Sequence, residues 1–300
     1  MEKPFLLHLF TPMPHASPFD VNMAYDAQFN AVIPYTNVTL EDITNLTQDA
    51  IFSRGPKGAK RTGIFIGGRE IGLAADMLDT ARRAMFPPFQ VSVFADPSGA
   101  FTTAAALIAI VEQKLKKIHN LSLAEREVVV LGGTGPVGAA AAVLAASAGA
   151  RVWITSHSAP SRARITSETV NSRYQVRTSA ADISTPEKAT ELLAGAEVVL
   201  ACAKAGVQVL TDSDLANTKR LLIAADVNAV PPAGIAGIGM TDDGLPLTSA
   251  SGKAIGIGPL AVGNIKYQVM RSLFEAMLQS DVPLFLDFRD AFDSARKFTA

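Results

Sequence analysis

Cysteine, histidine and surplus charge are all scarce in this sequence. Its 300 residues include one cysteine and four histidines, and 27 basic residues stand against 28 acidic ones. Cys202 cannot form a disulfide within the chain, and the apolar run 198–203 around it favours a buried strand position over a catalytic one. The histidines at positions 8, 15, 119 and 157 have no metal-ligand spacing, so we expect no metal chemistry.

Blocks of basic residues and uninterrupted apolar runs are also missing. A net charge of −1 without a basic block gives no indication of nucleic-acid binding. Residues 128–150 carry no charge, but glycine and proline interrupt them and alanine dominates, which is typical of a core strand and helix rather than a membrane span. The first apolar segment is short and contains His8, unlike a secretion signal. We therefore expect a cytoplasmic protein that binds neither nucleic acid nor membrane.

The most informative segment is a glycine-rich turn between a predicted strand at 128–131 and a predicted helix at 137–148. Its G-x-G-x-x-G spacing is typical of dinucleotide binding: the first glycine allows a tight turn, the second lets backbone approach a pyrophosphate, and the third lets helix and strand pack closely. The N-terminal amides of the helix attract phosphate, and proline suits its first turn. The alternative is a turn used only for packing. We predict that NAD or NADP binds at Gly133, Thr134, Gly135, Pro136, Val137 and Gly138.

The acidic residue that usually accompanies such a turn is missing. About twenty residues after the glycines, an acid normally holds the adenine ribose of NAD. Here no Asp or Glu lies between positions 127 and 168, and the predicted strand 151–155 leads to Ser156-His157-Ser158, with Arg162 and Arg164 following. This rim tolerates the 2′-phosphate of NADP and also accepts NAD, while either arginine can equally be a solvated surface charge. The preferred dinucleotide is left open.

Strand-like and helix-like stretches alternate along the chain. Strands are predicted at Leu6–Phe10, Ala31–Tyr35, Gly63–Gly67 and Gln90–Ala95, and near 151–155, 197–203 and 220–226; helices are predicted near 19–27, 40–50, 69–85, 102–118, 161–172 and 186–194 and within 264–300. The basic stretch 53–62 is predicted to be a loop. This alternation favours an α/β fold of two domains with parallel sheets. We expect an N-terminal α/β domain at 1–118, completed by a C-terminal helix at 281–300, and a Rossmann-type domain at 119–280.

Four loops at predicted strand ends hold the remaining candidates for chemistry, because α/β proteins bind ligands there. They cover residues 17–26, 96–103, 226–235 and 258–266. Asp20 and Thr102, in the first two loops, can instead cap helices. Asp226 can instead order the Pro-Pro loop that follows it, and Lys266 can be an exposed charge.

Six motifs, in order along nearly the whole chain, resemble one family. They are Ser17–Asp20 with Tyr25-Asp26, Ile64–Gly68, Phe94–Thr103, Gly133–Gly138, Asp226–Ile238 and Gly258–Lys266. The chain resembles the NAD(P)-dependent methylene-tetrahydromethanopterin dehydrogenases of methylotrophic bacteria. The version that uses both dinucleotides is the most similar, because His157 stands where strictly NADP-dependent relatives carry arginine. The resemblance implies a homo-oligomer, trimeric or hexameric, and a place in formaldehyde oxidation.

The resemblance also implies a reaction that needs no catalytic histidine or cysteine. A methylene carbon between two nitrogens of the tetrahydromethanopterin carrier loses hydride to C4 of nicotinamide, and the nitrogens delocalise the resulting cation, so no proton has to be abstracted. Positioning of the two reactants can then contribute roughly 7–11 kcal/mol.

The resemblance supplies a hypothesis for the site residues. Asp20, Thr102 and Lys266 would contact or orient the pterin in a cleft between the domains, with Lys266 binding rather than stabilising charge, since a cation disfavours the methenyl product. Beyond the glycine turn, the dinucleotide would be held by Ser156, His157, Arg162, Ala203, Asp226 and Asn228, the last two on the nicotinamide side.

Three other functions stay open. A methylene-tetrahydrofolate dehydrogenase does parallel chemistry on a related carrier, and a shikimate-type dehydrogenase also has two domains. A non-catalytic redox sensor would bind NADP(H) and report its state to a protein partner. The polar loops of the first domain argue against the sensor, because they suggest a second ligand.

Overall fold

The structure is a computed structural model that describes residues 3–157 and 159–300. Ser158, expected in the dinucleotide rim, lies outside the described residues, as do Met1 and Glu2. By its contacts the chain divides into unit 1, Met1–Thr102 with Tyr267–Ala295, and unit 2, Thr103–Lys266 with Arg296–Ala300. The predicted domain bounds stay a prediction, because a division by contacts does not test which segments fold independently.

The N-terminal elements alternate between strand and helix. They are β1 (Leu6–Phe10), α1 (Pro18–Asp26), β2 (Ala31–Tyr35), α2 (Asp42–Phe52), α3 (Gly55–Ala59), β3 (Thr62–Ile66), α4 (Ile71–Arg83) and β4 (Ser92–Ala95). A 3-10 turn at Pro97–Gly99 precedes α5 (Ala100–Lys114), which continues into a π-helical turn at Leu115–His119. The predicted loop at 53–62 is wrong. Gly55, with a φ of +65°, is the first residue of the short α3, and its backbone conformation breaks the continuation of α2. Pro56 fits the first turn of α3.

The second half of the chain continues the alternation. It contains β5 (Glu127–Leu131), α6 (Pro136–Ser147), β6 (Arg151–Thr155), α7 (Pro160–Tyr174), β7 (Thr178–Ala181), α8 (Pro186–Gly195), β8 (Val198–Ala201), α9 (Asp212–Leu215), β9 (Ile223–Asp226), β10 (Asp243–Pro246) and β11 (Ile255–Ile257). The last elements are α10 (Pro259–Gln279), β12 (Phe285–Leu286) and α11 (Phe288–Thr299). The unpredicted strands β7, β10, β11 and β12 are two to four residues long, too short for a hydrophobic period.

Unit 1 is built on a parallel sheet of order β12-β4-β3-β1-β2. From β1 the chain runs outward to β2 and then returns past β1 to β3, so the winding direction reverses between β1 and β3. Every residue of β3 and β4 is buried. Phe65 and Phe94 contact each other and Phe274 with ring centroids 5.2–5.3 Å apart, and these aromatic contacts form the centre of the core.

Unit 2 is built on a sheet of order β10-β11-β9-β8-β5-β6-β7, parallel except for the pairing of β10 with β11. Its winding direction reverses between β5 and β8. Small side chains allow α6 to lie close to the sheet, and its residues 138–145 are buried. The predicted α/β class with parallel sheets is confirmed. No helix in the described part of the chain combines the length and apolar character needed to cross a membrane.

Candidate functional site

The turn after β5 passes very close to the loop after β8. The amide of Cys202 donates to the carbonyl of Leu131 at 2.8 Å, and a Cβ on Gly132 would lie 2.6 Å from Cα of Ala203. Gly132 also has a φ of +74°, so this position requires glycine for two reasons. The sequence prediction missed Gly132, because the fingerprint begins one residue later. The doubled glycine at 132–133 was the available signal.

The glycines at the start of α6 differ in what surrounds them. A Cβ on Gly138 would lie 2.6 Å from the carbonyl oxygen of Gly132, whereas the nearest atom to a Cβ on Gly135 is 3.5 Å away. Packing within the protein therefore explains glycine at 138 but not at 135, where a Cβ would make only ordinary van der Waals contacts and where glycine lets a ligand approach the backbone closely. No side chain caps α6, and the amides of Val137 and Gly138 in its first turn have no intrahelical acceptor. This arrangement fits a pyrophosphate.

The rim at the end of β6 contains two buried hydroxyl residues, Thr155 and Ser156. Thr155 is fully buried and donates from Oγ1 to the carbonyl of Val130 at 3.0 Å. Ser156 is buried, and His157 and Arg162 are exposed. Arg164 forms an exposed ion pair with Glu168 at 3.1 Å within α7, as expected for a solvated helix charge. Binding of the adenine ribose by Ser156, His157 and Arg162 stays a prediction.

Asp226, at the end of β9, organises the loop that follows it. Its fully buried carboxylate accepts hydrogen bonds from the amides of Asn228 at 2.9 Å, Gly234 at 2.6 Å and Ile235 at 3.2 Å. Burial raises the pKa of this carboxyl, while the amide hydrogen bonds oppose the rise. These contacts order the Pro-Pro loop, which is the alternative role that the sequence left open for Asp226. A direct contact with nicotinamide stays a prediction.

Asn228 links two loops at the carboxyl edge of the unit 2 sheet. Its Oδ1 accepts from the amides of Gly206 at 3.0 Å and Val230 at 2.9 Å, and its Nδ2 donates to the carbonyl of Pro232 at 2.7 Å. Gly206 follows β8 and the other partners follow β9, so one side chain connects both loops.

Cys202 has the environment expected of a core residue. Its side chain is buried, and burial together with the charge of Asp226 raises the thiol pKa to about 12. At neutral pH the thiol therefore stays protonated and a poor nucleophile.

In unit 1, Asp20 lies where the sheet changes its winding direction. It occupies the first turn of α1, where its amide donates to Oγ of Ser17 at 3.4 Å, and the residue is only 4% exposed. A Cβ placed on Gly67 would lie 3.8 Å from Oδ2 of Asp20, so the carboxylate reaches the loop after β3. Ligands of doubly wound sheets bind at this kind of position.

Thr102 is fully buried beside an equally buried carboxylate, Asp96. Its hydroxyl donates to Oδ2 of Asp96 at 2.6 Å, and its amide donates to Oδ1 at 3.2 Å. The amide of Phe101 also donates to Oδ1, at 2.8 Å, so Asp96 caps the first turn of α5. Asp96 lies in one of the candidate loops, but no sequence pattern singled it out as the partner of Thr102.

Lys266 belongs to unit 2, on α10, and is partly buried. Asp20 and Thr102 both lie in unit 1, at the carboxyl edge of its sheet, so the predicted meeting of the three side chains stays a prediction. Within residues 3–157 and 159–300, no group of three His, Cys, Asp or Glu side chains is arranged to hold a metal ion.

Two doubly wound units, one with a glycine turn that fits a pyrophosphate, define a two-unit α/β protein with a candidate dinucleotide site. The same fold occurs in quinate dehydrogenase from Corynebacterium glutamicum, solved in complex with NAD, with a TM-score of 0.52 and 13% identity over 97% of this chain and 98% of that one. At this identity the likeness shows the fold alone.

The family follows from sequence comparison. Residues 18–98 match the family described as methylene-tetrahydromethanopterin dehydrogenase, N-terminal. The NAD(P)-dependent methylenetetrahydromethanopterin dehydrogenase of Methylorubrum extorquens is 48% identical over 97% of both chains, and the bifunctional protein MdtA of that organism is 32% identical over 93% of this chain and 94% of its own. The chain belongs to the family of NAD(P)-dependent methylenetetrahydromethanopterin dehydrogenases, and the predicted resemblance is confirmed.

Proposed function

We propose that this protein oxidises methylene-tetrahydromethanopterin to the methenyl form with NAD⁺ or NADP⁺. The observation that carries the proposal is the 48% identity, over 97% of the chain, to a relative named for this activity. The reaction balances with one hydride: the methylene C–H bond breaks, both electrons leave with the hydrogen, and the carrier keeps the positive charge. Bound NAD⁺ or NADP⁺ would supply the acceptor at C4 of its nicotinamide.

Unit 2 is proposed to hold the dinucleotide. The open face at Gly135 and the first-turn amides of Val137 and Gly138 suit the pyrophosphate. Ala203 packs against Gly132 beside this turn, and Asn228 fixes the neighbouring loops that would face the nicotinamide. The acid-free stretch between positions 127 and 168 supports use of both dinucleotides, since no carboxylate there repels a 2′-phosphate.

Unit 1 is proposed to hold the pterin. The buried carboxylate of Asp20 at the switch point suits a carrier that becomes cationic during the reaction, because a fixed negative charge favours the methenyl product over the neutral substrate. Lys266 is proposed to bind or orient polar atoms of the pterin, as the family resemblance implies. No side chain has to accept a proton, so the chain's own contribution is binding, orientation and exclusion of water.

An anaerobic ultraviolet assay of methenyl product tests the proposal. Purified protein is given methylene-tetrahydromethanopterin or methylene-tetrahydrofolate, each with NAD⁺ and with NADP⁺. We expect turnover with the methanopterin carrier and either dinucleotide. Faster turnover with the folate carrier would make this protein a methylene-tetrahydrofolate dehydrogenase. Dinucleotide binding without turnover in all four mixtures would contradict both assignments and favour a shikimate-type dehydrogenase, or a redox sensor if a protein partner were also captured.

The assembly and location are proposed on the same family resemblance. We propose a cytoplasmic homo-oligomer, a trimer or hexamer, that takes part in formaldehyde oxidation. Light scattering coupled to size-exclusion chromatography gives the mass directly, with a 31.5 kDa protomer as the unit. A monomer at micromolar concentration would contradict the oligomer.

A further inference from the structure

The burial of Thr102 conflicts with a direct contact between its hydroxyl and a ligand. The residue is 0% exposed, and its one hydroxyl proton is directed at Oδ2 of Asp96, 2.6 Å away. A hydrogen bond to a charged acceptor at this distance is strong and short, so the carbonyl of Gly99, 3.3 Å from the same oxygen, is the weaker acceptor. A role of Thr102 toward the pterin must therefore be indirect.

Asp96 connects Thr102 to the edge of the sheet where Asp20 lies. The amide of Asp96 donates to the carbonyl of Ile66 at 3.0 Å, so Asp96 continues the pairing of β4 with β3 up to Gly67. A Cβ on Gly67 would be in van der Waals range of both Thr11 and Asp20. The backbone of Asp96 therefore pairs with the strand end that leads into the loop that Asp20 reaches.

The loop between Asp96 and Thr102 is strained and fastened at several points. Ser98 has a φ of +54°, which is unfavourable for a residue other than glycine, and its Oγ donates to the carbonyl of Gly68 at 2.8 Å. Residues in such a conformation persist only where their surroundings hold them, and they are concentrated at functional sites. The amide of Asp96 and the side chain of Ser98 thus join the loop after β4 to the end of β3 and the loop that follows it.

We infer that Asp96 and Thr102 form a positioning pair for the pterin site of unit 1. Their hydrogen bond holds the 96–99 loop and the first turn of α5, and through Ser98 it holds the Gly67-Gly68 loop beside Asp20. Neither side chain touches the substrate. This inference rests on the proposed function and extends it to Asp96, which acts through Thr102 and the two loops.

The variants Thr102→Val, Thr102→Ser and Asp96→Asn test the pair. Valine removes the hydroxyl at nearly constant volume, serine keeps it, and asparagine offers an N–H where the hydroxyl needs an acceptor. We expect Thr102→Val and Asp96→Asn each to raise the KM for the pterin about tenfold, because each breaks the hydrogen bond between the two side chains. The double variant should be no worse than Asp96→Asn alone, which also weakens the two amide hydrogen bonds that Asp96 accepts. Thr102→Ser should keep the KM within about twofold, and the Kd for the dinucleotide should stay unchanged in every variant.

Asp42→Asn is the matched control, because Asp42 also accepts hydrogen bonds from a threonine amide and hydroxyl, those of Thr39, both at 2.8 Å at the start of α2. It should lower thermal stability slightly and leave the pterin KM unchanged. An unchanged pterin KM in Thr102→Val, or multiplying effects in the double variant, would overturn the inference. The serine and valine pair decides the matter even if Asp96→Asn does not fold. Wild-type turnover tests the proposed function separately, and only the ratios between variants test the pair.

Discussion

The two sheets of this protein differ in the groups that line their switch points. In unit 2 the switch point is lined by a glycine turn and the uncapped N-terminus of α6, with no acidic residue between positions 127 and 168. The buried carboxylate of Asp226 lies farther along this edge, after β9, where three amides donate to it. In unit 1 the corresponding edge contains the buried carboxylates of Asp20 and Asp96. A polyanionic dinucleotide suits the first edge, and a carrier that becomes cationic suits the second. Under the proposed function, the same winding rule would give two sites of different chemistry, and the residues after the strands would decide which ligand each takes.

Gly138→Ala should have the largest effect. It should weaken dinucleotide binding at the edge of the unit 2 sheet and leave the edge of the unit 1 sheet unchanged. The new Cβ would lie 2.6 Å from the carbonyl oxygen of Gly132 and 2.7 Å from Cα of Gly133, and backbone atoms cannot rotate away. The start of α6 must move, and a shift of this kind can cost about a hundredfold in Kd for NADP⁺. Isothermal titration calorimetry measures it. Gly195→Ala is the control, since a Cβ there meets nothing within 4 Å. Equal Kd values for the two variants would contradict this account of the turn.

Arg162→Ala should weaken NADP⁺ binding without weakening NAD⁺ binding. If Arg162 holds the 2′-phosphate, its loss should raise the KM for NADP⁺ about tenfold, the equivalent of a charge-assisted hydrogen bond, and leave that for NAD⁺ unchanged. Arg164→Ala is the matched control, because Arg164 already pairs with Glu168 on the exposed face of α7. Steady-state kinetics with both dinucleotides gives the ratios. If Arg164→Ala, and not Arg162→Ala, raised the KM for NADP⁺ selectively, the roles of the two arginines would be exchanged.

Asp226→Asn should change how stability depends on pH. Burial raises the pKa of this carboxyl above its ordinary value of 3.8, so the folded protein holds the proton more tightly than the unfolded chain. Wild-type stability relative to the variant should therefore be highest below pH 3.8 and fall as the pH rises through the raised pKa, since ionisation of a buried acid costs free energy. Urea unfolding at a series of pH values measures the difference. If the wild type instead became more stable relative to Asp226→Asn as the pH rises, the amide hydrogen bonds would outweigh burial in their effect on the pKa of Asp226.

Cys202 should give the smallest effect. A thiol with a pKa raised to about 12 is protonated at neutral pH, and its side chain is buried, so a thiol reagent should label it only after unfolding. Cys202→Ala should change turnover by less than about twofold, because the proposed reaction uses no thiol. Stoichiometric labelling of the native protein at pH 7.5, with loss of activity, would contradict a purely structural cysteine.

The elements that could be predicted from sequence are those with long, regular patterns. The strand, glycine turn and alanine-rich helix at 128–148 were predicted because buried parallel strands and close helix packing impose a local composition. The short β10 and β11 were not, since three or four residues carry no period. The α3 helix was missed because glycine and proline usually indicate a loop, and here they act at the boundary and first turn of a helix.

The site was predictable in its loops but not in its contacts. The sequence pointed to Thr102, yet its partner Asp96 is determined by the pairing of β4 with β3 and by burial, which no local pattern encodes. Gly132 was overlooked for a similar reason, since part of its requirement arises from Ala203, some seventy residues away along the chain, in addition to its own positive φ. Contacts between loops of different strands depend on sheet order, and sheet order depends on the whole fold.

Transfer of deuterium from the carrier to the dinucleotide tests the proposed reaction directly. The protein would be given methylene-tetrahydromethanopterin with both methylene hydrogens replaced by deuterium, together with NADP⁺, in ordinary water, and the NADPH formed would be examined by mass spectrometry. Direct hydride transfer predicts one deuterium in each NADPH and one left on the methenyl carbon. NADPH without deuterium would show that the hydrogen passes through solvent, and would contradict a reaction that depends on positioning alone.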